Sequence, residues 1–251
     1  MLDLEYLGYT LRDRQMSYLK SKITQHVNTS TLREWRQLLI FAVLLFAGRS
    51  AIADWNRIPS GSMEPTLYVG DLILVNKLAY DLKIPFMTTH LAQWANPKRG
   101  EIVVFYKPGD GQRMIKRVIG TPGDLIEMRN NQLIINGHTT TYAVHNTTSL
   151  NYSLPNDEQH MAVIATEYLP EKTHAVMGLP TRPAARSFNA IKVPEGQFLM
   201  LGDNRDDSAD SRYFGFVARD EIVGRAERVI VSWDKEALYK PRFGRFFQQL
   251  V

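Results

Sequence analysis

Glu101-Ile102-Val103-Val104-Phe105-Tyr106 and Met114-Ile115-Lys116-Arg117-Val118-Ile119 decide the fold. The first run follows Pro97-Lys98-Arg99-Gly100, and the second ends at Gly120-Thr121-Pro122-Gly123-Asp124. Short runs of β-branched and aromatic residues between such turn formers predict strands. The same texture continues on both sides. Leu72-Ile73-Leu74-Val75 follows Gly70-Asp71, and Leu133-Ile134-Ile135 leads into the hairpin-type pair Asn136-Gly137. Phe198-Leu199-Met200-Leu201 precedes Gly202-Asp203, and Arg228 to Trp233 closes the set. From Pro59 onward the chain therefore reads as mostly β, with an antiparallel sheet at its core. The stretch from about Thr139 to Arg186 is richer in Asn, Thr, Ser and Pro. It reads as a separate lobe or as an insertion between two halves of one β core.

Strand periodicity places Lys116 on one face with Met114 and Val118, and Arg117 on the other. The plain reading is a half-exposed strand. The chemical reading is a lysine buried among apolar neighbours. A free lysine titrates near ~10.4, and desolvation disfavours its ammonium form. A lysine brought to roughly 7–8 acts as a general base. A serine hydroxyl beside it becomes a nucleophile with no histidine required. Spacing alone leaves Lys77, which also follows an apolar strand, as a second candidate base.

Composition removes other chemistries. The 251 residues include no cysteine, which excludes disulfides, thiolate metal sites, thiol nucleophiles and CxxC redox motifs. The 30 Lys and Arg against 26 Asp and Glu leave a net charge of +4 without a long basic run, so no nucleic-acid partner is expected. No two of the six histidines have ligand spacing and there is no HExxH, so no metal site is expected. The acidic stretch Asp203 to Asp210 fails as a calcium loop. With Asp206 first, the sixth position is Ser211 rather than Gly and the twelfth is Val217 rather than Glu. A loop held by internal Asp–Arg pairs is expected instead. GxSxG, Walker and Rossmann patterns are absent, and no cofactor is expected.

The densest apolar run begins at Leu38. From Leu38 to Ala53 there are 16 residues, a helix about 24 Å long against a bilayer core of about 30 Å. Arg49 lies inside the run but near its end, where it can snorkel. Trp35 and Trp55 flank the run as an aromatic belt does. A membrane anchor is the leading reading. The others are a cleaved secretory signal, since Ala51-Ile52-Ala53 has an A-x-A pattern, and a buried core helix. Arg12, Arg14, Lys20, Lys22, Arg33 and Arg36 precede the run. The positive-inside rule puts them in the cytoplasm and everything after Ala53 outside. Residues 1–37 read as helical, with Met16, Leu19, Ile23 and Val27 at helical spacing. Asn28-Thr29-Ser30 breaks that pattern, and Thr31 with Glu34 forms a capping-box pair at the start of the apolar helix.

Four blocks in order resemble the bacterial type I signal peptidases, or leader peptidases. They are Pro59-Ser60-Gly61-Ser62-Met63-x-Pro65-Thr66-Leu67; Gly70-Asp71-x-Ile73-Leu74-Val75-Asn76-Lys77; Ile115-Lys116-Arg117-Val118-Ile119-Gly120-x-Pro122-Gly123-Asp124; and Gly202-Asp203-Asn204-Arg205-Asp206-x-Ser208-x-Asp210-Ser211-Arg212. The resemblance covers most of the chain after about Leu38. It implies Ser62 as nucleophile and Lys116 as general base. The Ser62 N–H and the Ser60 hydroxyl would form the oxyanion hole, and Ser208 would hydrogen-bond and orient Lys116. Gly202 would leave room near the lysine, while Asp210 and Arg212 would brace the loop. Ile58, Pro59, Met63, Leu67, Ile73, Val104 and Ile115 would line shallow pockets for small side chains, giving an Ala-x-Ala preference.

The implied protein is a plasma-membrane serine endopeptidase that removes signal peptides from exported preproteins. Membrane lipid and the secretion machinery are its candidate partners. The implied layout is a cytoplasmic segment 1–37, an anchor 38–53, a catalytic β domain 54–124 and 193–251, and an inserted lobe 125–192. Two departures from the family stand out: Glu64 replaces an apolar residue of some members, and Asp207 replaces the Asn of many. A processing peptidase dedicated to one substrate, such as a conjugative pilin, is the alternative of the same chemistry. A self-cleaving Ser/Lys regulator and an inactive membrane scaffold are the rivals of other classes. The first lacks a helix-turn-helix here, and the second sits poorly with intact Ser62, Lys116 and Ser208.

Overall fold

The computed structural model describes residues 29–84, 89–145, 158, 161–235 and 237–250, leaving aside the side chains of 29–31 and 44–51. The expected helix before Asn28 lies outside the described residues. Helix α1 spans Thr29–Ile52. It starts two residues ahead of the expected Thr31 cap and gives way at Ala53 to a strand, ahead of the β texture expected from Pro59. Leu38, Leu39, Ile40, Phe41 and Val43 are all exposed on it. Among the described residues no helix is long and apolar enough to cross a membrane.

The rest of the chain is built of short strands. The main sheet contains β1 (Ala53–Arg57), β2 (Asp71–Asn76), β5 (Ile102–Tyr106), β6 (Arg113–Gly120), β14 (Gln197–Leu201), β15 (Val217–Ala218), β16 (Ile222–Asp234) and β17 (Lys240–Pro241). Its order is β1-β2-β16-β5-β6-β14-β15, with β17 on β16, and every pairing is antiparallel. One row of paired residues crosses five strands: Ala53, Asn76, Arg225, Val103 and Lys116. A small hairpin pairs β3 (Asp81–Lys83) with β4 (His90–Gln93).

The other strands are β7 (Leu125–Arg129), β8 (Gln132–Ile135), β9 (His138–Thr139), β10 (Thr141–His145), β11 (Val163–Tyr168), β12 (Thr173–Gly178) and β13 (Phe188–Lys192). They form a sheet β13-β7-β8-β9 and a sheet β10-β11-β12. These lie between the two sequence halves that build the main sheet, and β7 pairs with β13 at the lobe's two ends. The lobe is nonetheless packed onto the sheet. Ile126, Met128 and Leu133 of the lobe share one core cluster with Ile119 of β6 and Leu199 and Leu201 of β14. Residues Arg49–Val251 form one compact unit.

Strand β5 shows why the central runs lack polar alternation. Ile102 and Val104 enter one core cluster, whereas Val103 and Phe105 enter another. A strand covered on both faces is apolar at every position.

Candidate active site

Ser62 lies on the loop that joins β1 to β2, in a 3-10 turn Gly61–Met63. The base of this loop is pinned by the Ile58 N–H to Asp71 O at 2.8 Å and the Gly70 N–H to Ile58 O at 3.0 Å. Gly70 has φ +93, and a Cβ there would run into the Trp233 carbonyl, so only glycine closes the base. Ile58, Met63 and Leu67 anchor the loop from inside, packed in one cluster with Ile73 and Val104.

Lys116 projects from β6, and its Nζ lies 2.6 Å from Ser62 Oγ. The Nζ also donates to the Ile115 carbonyl at 3.0 Å. The side chain is 2% exposed. Burial drives its pKa from 10.5 down to about 8; Asp210 and Asp203 resist the drop and Arg212 adds to it. A dry amine in contact with a hydroxyl is equipped to take that hydroxyl's proton. Lys77 is the lesser candidate: it sits half-buried in a 3-10 turn after β2, and Lys116 is the lysine bonded to Ser62.

The closing loop packs against both residues. A Cβ on Gly202 would overlap the Ser208 hydroxyl and come within 2.5 Å of Ser62 O. The room that Gly202 leaves is thus filled by the nucleophile turn and by Ser208. The Gly202 N–H donates to Asp210 Oδ2 at 3.0 Å, and Arg212 grips Asp210 with two bonds of 2.7 Å. Asp210 also caps the short helix α2 (Ser211–Phe214) by accepting from the Arg212 N–H.

One expected contact differs. Among the described residues the buried Ser208 Oγ has no hydrogen-bond partner, and the bonds of Lys116 go to Ser62 and Ile115 instead. Ser208 is therefore a close neighbour of the site rather than a ligand of the amine. Ser60 is exposed and does not cap the Ser62 turn. Of the pocket residues, Ile58, Met63, Leu67, Ile73 and Val104 are buried core beneath Ser62, Ile115 is partly buried against them, and Pro59 is exposed.

Asn204 had no role assigned from the sequence. Its N–H donates to Ser62 O at 3.2 Å and its Nδ2 to Gly61 O at 3.3 Å. It thus holds two of the three carbonyls of the turn that carries Ser62. Its place inside the closing block was the only hint.

The acidic loop is held by Asp–Arg pairs, but most reach outside it. Arg117 makes two bonds to Asp203, at 2.9 and 2.8 Å, and both residues are buried. Burial alone would raise the Asp203 pKa, yet Arg117 holds it below the usual carboxylate range. Asp206 pairs with Arg186, and Arg205 with Glu167 of β11. Asp207 pairs with Arg182 at 2.6 Å. The inserted lobe therefore holds the closing loop through charge. Among the described residues no cluster of three or more His, Asp or Glu could hold a metal ion.

Comparison with known proteins then fixes the family. A family model described as signal peptidase, peptidase S26, matches residues 32–233. The chain belongs to the signal peptidase family, S26. Signal peptidase I of Pseudomonas fluorescens is 36% identical over 220 residues, covering 82% of this chain and 74% of that one. Signal peptidase I of Pseudomonas aeruginosa is 34% identical over 223 residues, with coverage of 82% and 74%. A crystal structure of a signal peptidase I from Enterococcus faecalis V583 aligns with a TM-score of 0.31 at 34% identity, covering 52% of this chain and 97% of that chain. This S26 peptidase is a serine endopeptidase, a hydrolase that acts on signal peptides.

Proposed function

We propose that this S26 peptidase is a membrane-anchored Ser/Lys endopeptidase that cuts preproteins after Ala-x-Ala-type sites. One observation carries the reading: Ser62 Oγ lies 2.6 Å from the Nζ of a buried lysine. Neutral Lys116 takes the proton of Ser62 as the oxygen attacks the scissile carbonyl. The Ser62 N–H and the Ser60 hydroxyl steady the oxyanion. Protonated Lys116 then gives its proton to the leaving amine, and an acyl-enzyme remains. Lys116, neutral again, activates the water that releases the acyl group.

The remaining parts of the reading have separate support. Exposed Pro59 and partly buried Ile115 offer apolar surface near Ser62, backed by the buried Ile58, Met63, Leu67, Ile73 and Val104, which favours small apolar substrate side chains. The exposed apolar side chains of α1 favour an anchor, since an apolar surface of this kind is stabilised by an apolar medium. The cations ahead of Leu38 favour a cytoplasmic N-terminus with the β domain outside.

The test is incubation of the detergent-solubilised chain with a secretory precursor, the cut being mapped by mass spectrometry. The expected cut follows Ala-x-Ala and is lost in Ser62→Ala and in Lys116→Ala. Full activity in either variant overturns the assignment, as does a parent chain that never cuts. Extraction of membranes with alkaline carbonate tests the anchor: the chain stays in the pellet if α1 is inserted.

A further inference from the structure

We propose that Arg245, in the C-terminal tail, is a positioning residue for Ser62. The inference rests on the reading of Ser62 as nucleophile. Backbone bonds hold the Ser62 loop at its base, around Ile58 and Gly70, and at Ser62 O through the Asn204 N–H. Its far arm, Pro65 to Val69, has no strand partner and needs other support.

Arg245 supplies that support from 179 residues away in sequence. Its Nη2 donates to Thr66 O at 3.0 Å and to Asp71 Oδ2 at 2.6 Å, and its Nε donates to Asp71 Oδ1 at 3.2 Å. Its guanidinium lies 3.9 Å from the centre of the Tyr68 ring. Asp71, fully buried, also accepts from the Tyr68 N–H at 2.9 Å. One guanidinium thus grips the backbone, a carboxylate and an aromatic face of the same arm. A planar fork does this and an ammonium does not.

The grip leads to the nucleophile by short links. Thr66, held through its carbonyl by Arg245, is held through its hydroxyl by Asp203 and Arg117. The Leu67 N–H donates to Met63 O at 2.9 Å, and Met63 ends the turn that carries Ser62. The Ser62 loop is therefore clamped from two sides. Asn204 and Asp203 hold it on the closing-loop side, and Arg245 holds it on the side of the tail. Releasing Arg245 frees the arm beside Ser62 and spoils its alignment with Lys116, while leaving the exposed Pro59-Ser60 side of the loop in place. Misalignment of about 1 Å at a reacting atom costs on the order of 10²-fold in rate.

Two measurements on the full detergent-solubilised chain test this. The first is hydrogen–deuterium exchange. Arg245→Ala should speed exchange of Glu64 and Leu67 at least ~10-fold while β6 stays protected. The second is steady-state kinetics on an Ala-x-Ala peptide. Arg245→Ala should lower kcat at least ~10-fold with KM within about twofold, and Arg245→Lys should recover part of the loss. Phe246→Ala is the control for the tail, since Phe246 packs its ring on Trp233 and Phe243. It should leave both readouts near the parent values. If Arg245→Ala does not fold, Arg245→Lys carries both measurements, with smaller changes in the same directions. Unchanged exchange overturns the proposal, as does an equal loss in Phe246→Ala. A parent chain that cuts no peptide refutes Ser62 as nucleophile instead, and exchange still reads whether Arg245 holds the loop.

Discussion

The Nζ of Lys116 and the Oγ of Ser62 lie 2.6 Å apart in a site where the lysine is almost wholly buried. That one relationship sets both the chemistry and its cost.

The reaction should depend on the neutral form of Lys116, whose pKa burial lowers to about 8. Below that value kcat/KM should fall about tenfold for each pH unit, and above it the rate should level off. A pH profile with an Ala-x-Ala peptide checks this. A flat profile from pH 6 to 9 would remove Lys116 as the base.

The same burial should make Lys116 a burden on the fold. The folded pKa of about 8 lies below the unfolded 10.5, so at neutral pH the protonated amine is costly only in the folded state. At about 1.4 kcal/mol per pH unit, the penalty is of order 3 kcal/mol. It is complete below pH 8 and fades as pH rises towards 10.5. Lys116→Met should therefore be inactive yet more stable by ~3 kcal/mol at pH 7, with the gap shrinking at pH 10. Urea unfolding at both pH values checks the sign.

Gly202→Ala should all but abolish cleavage, because the new Cβ meets both the Ser208 hydroxyl and Ser62 O. Adding Ser208→Ala removes only the first clash. The double variant should therefore stay inactive, as peptide cleavage would show. Ser208→Ala alone should leave stability unchanged or slightly raised, because a buried hydroxyl without a partner is removed. A clear fall in its melting temperature would mean the hydroxyl is bonded after all.

Asp203→Asn should cost about 3–5 kcal/mol, because it leaves the fully buried Arg117 without its counter-charge. Equilibrium unfolding measures this, and the double variant Asp203→Asn with Arg117→Met should be less damaged than the single one.

Much of this protein could be read from local pattern. Glu101–Tyr106 and Met114–Ile119 have strand composition, and both lie in the central strands. Asn136-Gly137 marks a turn, and it joins β8 to β9. Ser62 and Lys116 stand in blocks that resemble a family. What stayed hidden depends on contacts distant in sequence. Asn204 reaches a carbonyl 143 residues away, and Arg245 one 179 residues away. The tail Arg242 to Phe247 mixes cations and aromatics and gave no hint that its cations face inward. Nor did composition show that the lobe shares a core with the sheet, since Ile126 and Leu133 look the same in an independent lobe. That the Lys116 amine bonds Ser62 and Ile115 O rather than Ser208 depends on side-chain placement, which no motif encodes.

The row from Ala53 through Asn76, Arg225 and Val103 to Lys116 makes the sheet a jig. Four strand-to-strand steps of about 4.8 Å set its ends roughly 19 Å apart. Each step is hydrogen-bonded backbone, so loop motion or a rotamer change does not alter the offset. The distance from the first residue of the sheet to the lysine beside Ser62 is therefore a property of backbone pairing alone, and substitutions in the surrounding loops leave that gauge unchanged.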